Sequence, residues 1–159
     1  MSFIIDGYNL LWAVQKLNEQ LEPVSDVQLC HIIALYLKLV GERGQIVFDG
    51  IGPPDKTGFG NINNLEVIFA GRDVEADTII EDKINASTAP KNLTIVSSDR
   101  ELRQAARTRR AVSVKSEEFW TDVQKQLTRK AKTREPQEKF RGISEGETKQ
   151  WLKIFGLDQ

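Results

Sequence analysis

The sequence predicts an α/β protein in which helices flank a mainly parallel β-sheet. The first observation is that short apolar segments of strand length alternate with longer segments that repeat apolar residues at helical spacing. The second is that the links between successive elements are short, apart from the Gly-, Pro- and Asn-rich segment 50–63. A succession of strand, helix and strand with short links is typical of parallel strands joined by right-handed crossovers.

The first half of the chain is predicted to contain three strands and two helices. Ser25 and Gln28 form a capping-box pattern, so a helix should begin there. Apolar residues then recur at helical spacing until Gly41, where the helix should end. The segment 50–63 is predicted to be a mobile loop. In chain order, the predicted elements are a strand at 2–5, a helix at 8–17, a helix from Ser25 to Val40, and strands at 45–48 and 65–70.

The second half continues the alternation and then changes character. The predicted elements are a helix at 74–87, a strand at 93–98, a helix at 100–110, a strand at 111–114 and a helix at 117–132. The following polar stretch contains a proline and indicates a linker. A short helix at 144–156, which carries Trp151, Leu152 and Phe155 on one face, should dock either on the domain before it, which we favour, or on a partner such as the ribosome. We therefore divide the chain into a domain at 1–132 and an extension at 133–159.

Composition and motifs exclude several classes of protein. Cys30 is the one cysteine, which rules out an internal disulfide, and Cys30 with His31 cannot supply the ligands of a zinc site. We expect Cys30 to face the core. His31 is the one histidine and lies in mid-helix without a serine elbow, which disfavours serine-hydrolase chemistry. Because no apolar run approaches the roughly 20 residues of a membrane span and the N-terminus lacks a basic leader, we expect a cytoplasmic protein without a membrane partner.

The net charge of −1 conceals an uneven distribution. Residues 1–99 carry 7 Lys and Arg against 14 Asp and Glu, a net charge of −7, whereas residues 100–159 carry 15 against 9, a net charge of +6. This division fits an acidic catalytic pocket beside a surface for an anionic partner, and it fits equally well surface helices that use Lys and Arg for solubility. The most basic segment contains Arg100, Arg103, Arg107, Arg109 and Arg110.

Aspartates follow three of the predicted strands. Asp6 ends FIID, Asp49 ends IVFD and Asp99 ends IVSSD, while Asp77 lies early in the helix after the remaining long strand. The carboxyl ends of parallel strands share one edge of the sheet, so these side chains should lie together. Because clustered carboxylates repel one another unless a cation joins them, the pattern predicts a site for Mg²⁺ or Mn²⁺. A single aspartate at such a position is more often a helix cap, but four of them with Asn9 nearby favour the interpretation as a metal site.

Four motifs then give the sequence a family resemblance. IIDGYNLL, VFDG, EADTIIEDKI and IVSSDREL, in this order, resemble the YacP-like group of NYN domains, which are relatives of PIN-domain and 5′-nuclease folds. The resemblance covers roughly residues 1–120, and FRGISEGETKQWLKIFG is similar to the segment that often follows the domain in this group. It implies a PIN-like three-layer fold and an endoribonuclease that hydrolyses RNA with Mg²⁺ or Mn²⁺. We expect RNA, and mRNA in particular, as a partner, with the ribosome as a further one.

The resemblance also implies roles for individual residues. By position, Asp6 would be the first metal ligand, and Asp77 and Asp99 would complete the cluster. Asn9 would orient a water on the metal or the phosphate of the substrate. Glu81, one helical turn after Asp77, would be a further metal ligand or would accept a hydrogen bond from a group that binds the metal.

Some assignments stay open at this stage. Asp49 either binds the metal or only shapes the pocket around it. The arginines from Arg100 to Arg110 either hold RNA or form a solvated helix face. One rival interpretation is an RNA- or ribosome-binding module without catalysis, which would not need the carboxylates. Another is a phosphoacceptor receiver domain, with Asp49 as acceptor and Lys115 after the last strand, but that fold needs a pair of acids where only Asp6 stands.

Overall fold

A five-stranded parallel sheet forms the centre of the protein. The structure, a computed structural model of the chain, describes residues 2–19, 23–60, 62 and 64–133. The strands are β1 (Ser2–Asp6), β2 (Arg43–Phe48), β3 (Leu65–Phe69), β4 (Leu93–Val96) and β5 (Val112–Val114). Their order across the sheet is β3-β2-β1-β4-β5, and every neighbouring pair is parallel. β1 is therefore the central strand, and Ile5 pairs with Ile46 on one side and Val96 on the other.

Helices cover both faces of this sheet, which confirms the predicted three-layer α/β fold. The helices are α1 (Gly7–Leu17), α2 (Asp26–Val40), α3 (Ala76–Ala86), α4 (Arg100–Thr108) and α5 (Ser116–Thr133). Side chains alternate along β1, so Ile5 packs in the core beneath α1, α2 and α5, whereas Ile4 packs in the core beneath α3 and α4. Within the described residues, no helix is long and apolar enough to cross a membrane.

The signals that start and stop the predicted helices correspond to hydrogen bonds in the structure. The Gln28 amide donates to Ser25 Oγ at 3.1 Å, and the Ser25 amide donates to Gln28 Oε1 at 2.9 Å, which completes the predicted capping box. Gly41 ends α2 in the left-handed region at φ 71°, where a residue without a side chain is favoured. Cys30 is buried in the core, as expected.

The structure departs from the predicted boundaries at the start of α1. This helix begins at Gly7, directly after β1, rather than at residue 8. A Cβ atom at Gly7 would overlap the ring of Phe48, so glycine allows the helix to turn off the strand this closely. The consequence is that Asp6 is at once the last residue of β1 and the N-cap of α1.

The segment 50–63 is packed on the domain over part of its length. A 3-10 turn at Thr57–Phe59 places Phe59 in the core, where its ring contacts the rings of Phe48 and Phe69. The ring of His31 is also joined to this turn, with Nε2 3.0 Å from the carbonyl oxygen of Gly58. The Gly- and Pro-rich composition correctly predicted a connection without long elements but not the aromatic residue that holds it.

The predicted division of the chain stays a prediction. α5 extends to Thr133, one residue beyond the predicted end of the domain. The proposed linker and the docking helix at 144–156, with Trp151, Leu152 and Phe155, lie outside the described residues.

Candidate active site at the carboxyl edge of the sheet

The strand-end aspartates lie at one edge of the sheet, above the layer formed by α3 and α4. Asp6 is the last residue of β1, and Asp49 follows β2, which is the neighbouring strand. Two residues earlier on each strand, Ile4 and Val47 belong to the core beneath α3 and α4. Because side chains alternate along a strand, Asp6 and Asp49 lie on that same side of the sheet. Asp77, in the first turn of α3, reaches the same region.

Asp6 is buried and held by a serine that the sequence analysis missed. Its side chain is 6% exposed, and Ser97, which is fully buried, donates its hydroxyl proton to Asp6 Oδ2 at 2.9 Å. Ser97 Oγ in turn accepts from the backbone amide of Asp99 at 3.0 Å. Since the amide uses the oxygen as an acceptor, the hydroxyl proton is directed at Asp6, which fixes the orientation of this carboxylate. The two serines of IVSSD were the available signal, but serines in strand–helix connections are too common to be decisive.

The electrostatic environment of Asp6 consists of other carboxylates. The pKa of Asp6 is raised from 3.8 to about 6, chiefly by burial and against the opposing effect of the Ser97 hydrogen bond. The carboxylates of Asp77, Asp49 and Asp99 contribute to the same increase. Four aspartates predicted from the sequence are thus close enough to act on one another, and we call them the acidic cluster: Asp6, Asp49, Asp77 and Asp99.

Asp77 has a similar environment on the more exposed side of the cluster. Its pKa is raised first by burial and then by the carboxylates of Asp99, Asp49, Glu75 and Glu81. Glu81 lies one turn further along α3, so it adds negative charge next to Asp77. The carboxylates that act on Asp6 are those of the three other cluster members. Glu81 therefore borders the acidic cluster from the side of Asp77.

Two members of the acidic cluster also close the beginnings of helices. Asp99 Oδ1 accepts from the amides of Glu101 at 2.9 Å and Leu102 at 3.2 Å, which caps α4. Asp49 Oδ1 accepts from the amide of Ala76 at 2.8 Å, at the start of α3. The helix-cap interpretation is therefore correct for Asp99 and wrong for Asp77, since the N-cap of α3 is Glu75, and the cap of Asp99 is compatible with a place in the cluster. Both helices direct the positive ends of their dipoles toward this edge, which favours negative charge there.

Asn9 connects three parts of the site rather than pointing its oxygen at the acidic cluster. Its Oδ1 accepts from the Ser98 amide at 2.9 Å and from Ser116 Oγ at 2.6 Å. Ser98 Oγ donates to Glu117 Oε2 at 2.6 Å and accepts from the Ser116 amide at 3.0 Å. The start of α1 is thereby tied to the β4–α4 connection and to the start of α5. Any contact of Asn9 with a water or a phosphate would have to come from Nδ2.

The carboxylates of the acidic cluster do not form a complete set of metal ligands. Among the described residues, no three His, Cys, Asp or Glu side chains are arranged closely enough to hold a metal ion as they stand. Mg²⁺ commonly binds through one or two carboxylates and keeps several waters, whereas a structural zinc site needs a closed set of protein ligands. The oxygen donors of the cluster therefore fit a hydrated divalent ion and do not fit a structural zinc ion.

The five arginines of the basic segment have different surroundings. Arg100 and Arg107 are exposed on α4. Arg103 is half-buried, and its Nε is buried without a hydrogen-bond partner in the described part of the chain. Arg109 Nη2 donates to the carbonyl oxygens of Asn85 and Ser87 and so closes the end of α3, and Arg110 takes a left-handed turn at φ 65°.

A groove between α3 and α4 lies beside Glu81, which borders the acidic cluster. Its volume is about 630 Å³, and both Glu81 and Arg100 line it. Arg109 lines the same groove near the end of α3. The lining of the groove therefore combines the carboxylates of Glu81 and Glu101 with two arginines.

Several classes of protein share a parallel α/β domain with an acidic cluster at its carboxyl edge, and the comparisons with known proteins identify the family of this chain. The family model of the YacP-like NYN domain matches residues 3–154, so the chain belongs to the family of YacP-like NYN domains. This confirms the resemblance seen in the sequence motifs. No curated protein matches the sequence.

Two solved structures have a similar fold. The crystal structure of Rae1 (YacP) from Bacillus subtilis has a TM-score of 0.66 and 23% sequence identity, over 83% of this chain and 78% of that chain. The W164L mutant of the same protein has a TM-score of 0.63 and 21% identity, over 82% of this chain and 79% of that chain. At this level of identity, the similarity concerns the fold.

Proposed function

We propose that this protein is a divalent-metal-dependent endoribonuclease whose active centre is the acidic cluster. The observation that carries the proposal is the environment of Asp6. It is a buried carboxylate, and within the described part of the chain every charged side chain that shifts its pKa is another carboxylate. The repulsion between these carboxylates destabilises the fold, and a neutral residue in place of one of them would relieve it. We therefore infer that the carboxylates are kept for a function rather than for stability. A cation bound between the carboxylates removes the repulsion.

The residues present fit Mg²⁺ or Mn²⁺. Asp6, Asp77 and Asp99 are the proposed ligands, with Asp49 and Glu81 as additional oxygen donors beside them. When bound, the ion supplies an activated water and neutralises charge on the phosphate. The protein contributes orientation, since Ser97 fixes Asp6 and the helix amides of α3 and α4 fix Asp49 and Asp99. Asn9 Nδ2 is the donor available for a phosphate oxygen or a water.

RNA must be held by groups outside the acidic cluster, because phosphate contacts dominate the affinity of proteins for nucleic acids. Arg100 and Arg107 are the best candidates, since they are exposed and Arg100 lines the groove beside α3. Arg109 is engaged with the end of α3 and is a weaker candidate. We propose mRNA as the substrate class, the ribosome as a further partner and the cytoplasm as the location of the protein.

The replacement Asp6→Asn tests this proposal. It should abolish metal-dependent cleavage of an RNA oligonucleotide while the circular dichroism spectrum stays that of the parent. Asp82→Asn is the matched control, because Asp82 is exposed on α3 outside the acidic cluster and should cleave like the parent. A chelator should stop cleavage by the parent, and added Mg²⁺ or Mn²⁺ should restore it. Equal cleavage by Asp6→Asn and the parent would contradict the proposed site, and RNA binding without any cleavage by the parent would favour a non-catalytic RNA-binding module.

A further inference from the structure

The exposed face of α1 carries two aromatic side chains and a lysine, one helical turn apart. Tyr8 is 39% exposed and Trp12 is 60% exposed, which is unusual for side chains of this size. Lys16 Nζ lies 4.9 Å from the centroid of the Trp12 ring, a cation–π contact. We call Tyr8, Trp12 and Lys16 the aromatic strip. Residues four apart lie on the same side of a helix, so the three side chains follow one another along α1.

The aromatic strip begins beside the acidic cluster. Tyr8 is two residues after Asp6, and its ring packs edge-on against Phe48 with 4.9 Å between the centroids. Phe48 directly precedes Asp49. The carboxylate of Asp49 is also among the groups that raise the pKa of Tyr8, after burial and Asp26. From this border of the site, the strip continues outward along α1 to Trp12 and then Lys16.

The charge of α1 distinguishes it from the other two α-helices of the acidic half of the chain, which both contain acidic residues. Residues 1–99 have a net charge of −7, yet α1 contains no Asp or Glu, and its single charged side chain is Lys16. The helix thus adds a cation and no carboxylate to the exposed aromatic rings, and the carboxylates nearby belong to other elements, namely Asp26 and Asp49 beside Tyr8 and Glu117 beside Lys16. Exposed aromatic rings with a lysine next to them are the groups that bind the bases and phosphates of a single-stranded polyanion.

We infer that the aromatic strip stacks the bases of single-stranded RNA next to the acidic cluster, with Lys16 against the phosphates. This inference rests on the proposed function and narrows its substrate to unpaired RNA. Bases in a single strand can stack on Tyr and Trp rings, and this stacking tolerates any sequence because every base has a π-face. Duplex RNA keeps its base faces inside the helix, so it gains nothing from such a surface.

Binding of single-stranded and duplex RNA to the full chain tests this inference. The probes are a fluorescent oligouridine of about 12 nucleotides and a duplex of the same length, with a chelator present to prevent metal-dependent cleavage. Trp12→Ala should weaken oligouridine binding about tenfold, within the range for loss of one stacked base, and Trp12→Phe should retain most of the affinity. Duplex affinity should be the same for Trp12→Ala and the parent. Val112→Ala, which shortens an exposed apolar side chain on β5, should bind both probes like the parent.

The outcomes separate this inference from the proposed function. Equal oligouridine affinity of Trp12→Ala and the parent, an equal loss for single strand and duplex, or no binding by the parent would each overturn the inference. If the parent cleaves RNA and Trp12 does not affect binding, the nuclease proposal stands and the strip is a surface for something other than RNA. If single-strand binding depends on Trp12 but the parent never cleaves, the strip stands and the nuclease proposal fails.

Discussion

The two helical layers of this protein differ in what they contribute. The described residues form two cores, with 20 buried side chains beneath α1, α2 and α5 and 10 beneath α3 and α4. The larger core contains the biggest buried groups, among them Trp120 and Phe48. The smaller core beneath α3 and α4 contains mostly Ile, Leu and Ala. Since burial of apolar surface is the main stabilising contribution to folding, the larger layer holds most of the stability.

The smaller layer instead presents the starts of two helices to the edge where the acidic cluster lies. Asp49 and Asp99 bond to the amides at those helix starts, and Asp6 and Asp77 complete the cluster. The mutually repelling carboxylates thus lie beside the smaller of the two cores, where fewer buried side chains depend on the local packing. The comparison teaches that stability and the proposed chemistry are assigned to opposite faces of one sheet.

The largest effect on stability that we expect comes from removing a large side chain from the larger core. Trp120→Ala should destabilise the protein by about 3–5 kcal/mol, because it leaves a cavity under α5 where a fully buried indole was. Trp12→Ala removes the same side chain from an exposed position and should change stability by less than about 1 kcal/mol. Denaturant unfolding measures both variants. Similar losses for the two would contradict the assignment of stability to this layer.

Neutralising Asp6 should increase the stability of the protein, in contrast to the loss expected for Trp120→Ala. The pKa of Asp6 is about 6 in the folded chain against an ordinary 3.8, so the folded state binds the proton more tightly than the unfolded state. Stability should therefore fall as the pH rises from about 4 to 6, and the cost should remain above pH 6. Without metal, Asp6→Asn should stabilise the protein at pH 8 by about 2–3 kcal/mol and have little effect near pH 3.

Urea unfolding at both pH values measures this change. The exposed Asp82→Asn should alter stability little at either pH, because that side chain lies outside the acidic cluster. If Asp6→Asn were less stable than the parent at pH 8 in the absence of metal, the carboxylate would be a structural group, and the contrast between the two layers would weaken.

A smaller effect is expected from the serine that orients Asp6. Ser97→Ala removes the hydrogen bond that lowers the pKa of Asp6, so this pKa should rise further. The acidic limb of the pH–rate profile for RNA cleavage should move to higher pH, with a loss of stability of about 1 kcal/mol. Ser113→Ala is the control, because its hydroxyl is on the neighbouring strand β5 and has no partner among the described residues. An unchanged acidic limb in Ser97→Ala would mean that Ser97 serves only the backbone of Asp99.

The sequence predicted the elements of both layers and the edge where the aspartates meet. Both follow from local patterns, since apolar periodicity defines strands and helices and parallel strands bring their carboxyl ends together. It did not predict the contacts that position the site. Ser97 meets Asp6 across 91 residues, and Ser116 meets Asn9 across 107, so no local pattern reports them. The arginines of the basic segment also looked alike in the sequence, whereas tertiary packing buries part of Arg103 and engages Arg109.

Thermal unfolding with and without a divalent ion is the most direct test of the central claim, which is that the acidic cluster binds a cation. An ion that binds the folded chain alone stabilises it by mass action. At pH 8, Mg²⁺ or Mn²⁺ should raise the melting temperature of the parent by several degrees, with the size set by the ratio of ion concentration to Kd. The same ion should leave Asp6→Asn unchanged and should shift Asp82→Asn as it shifts the parent. An equal shift of the parent and Asp6→Asn, or no shift of the parent at any ion concentration, would contradict the account.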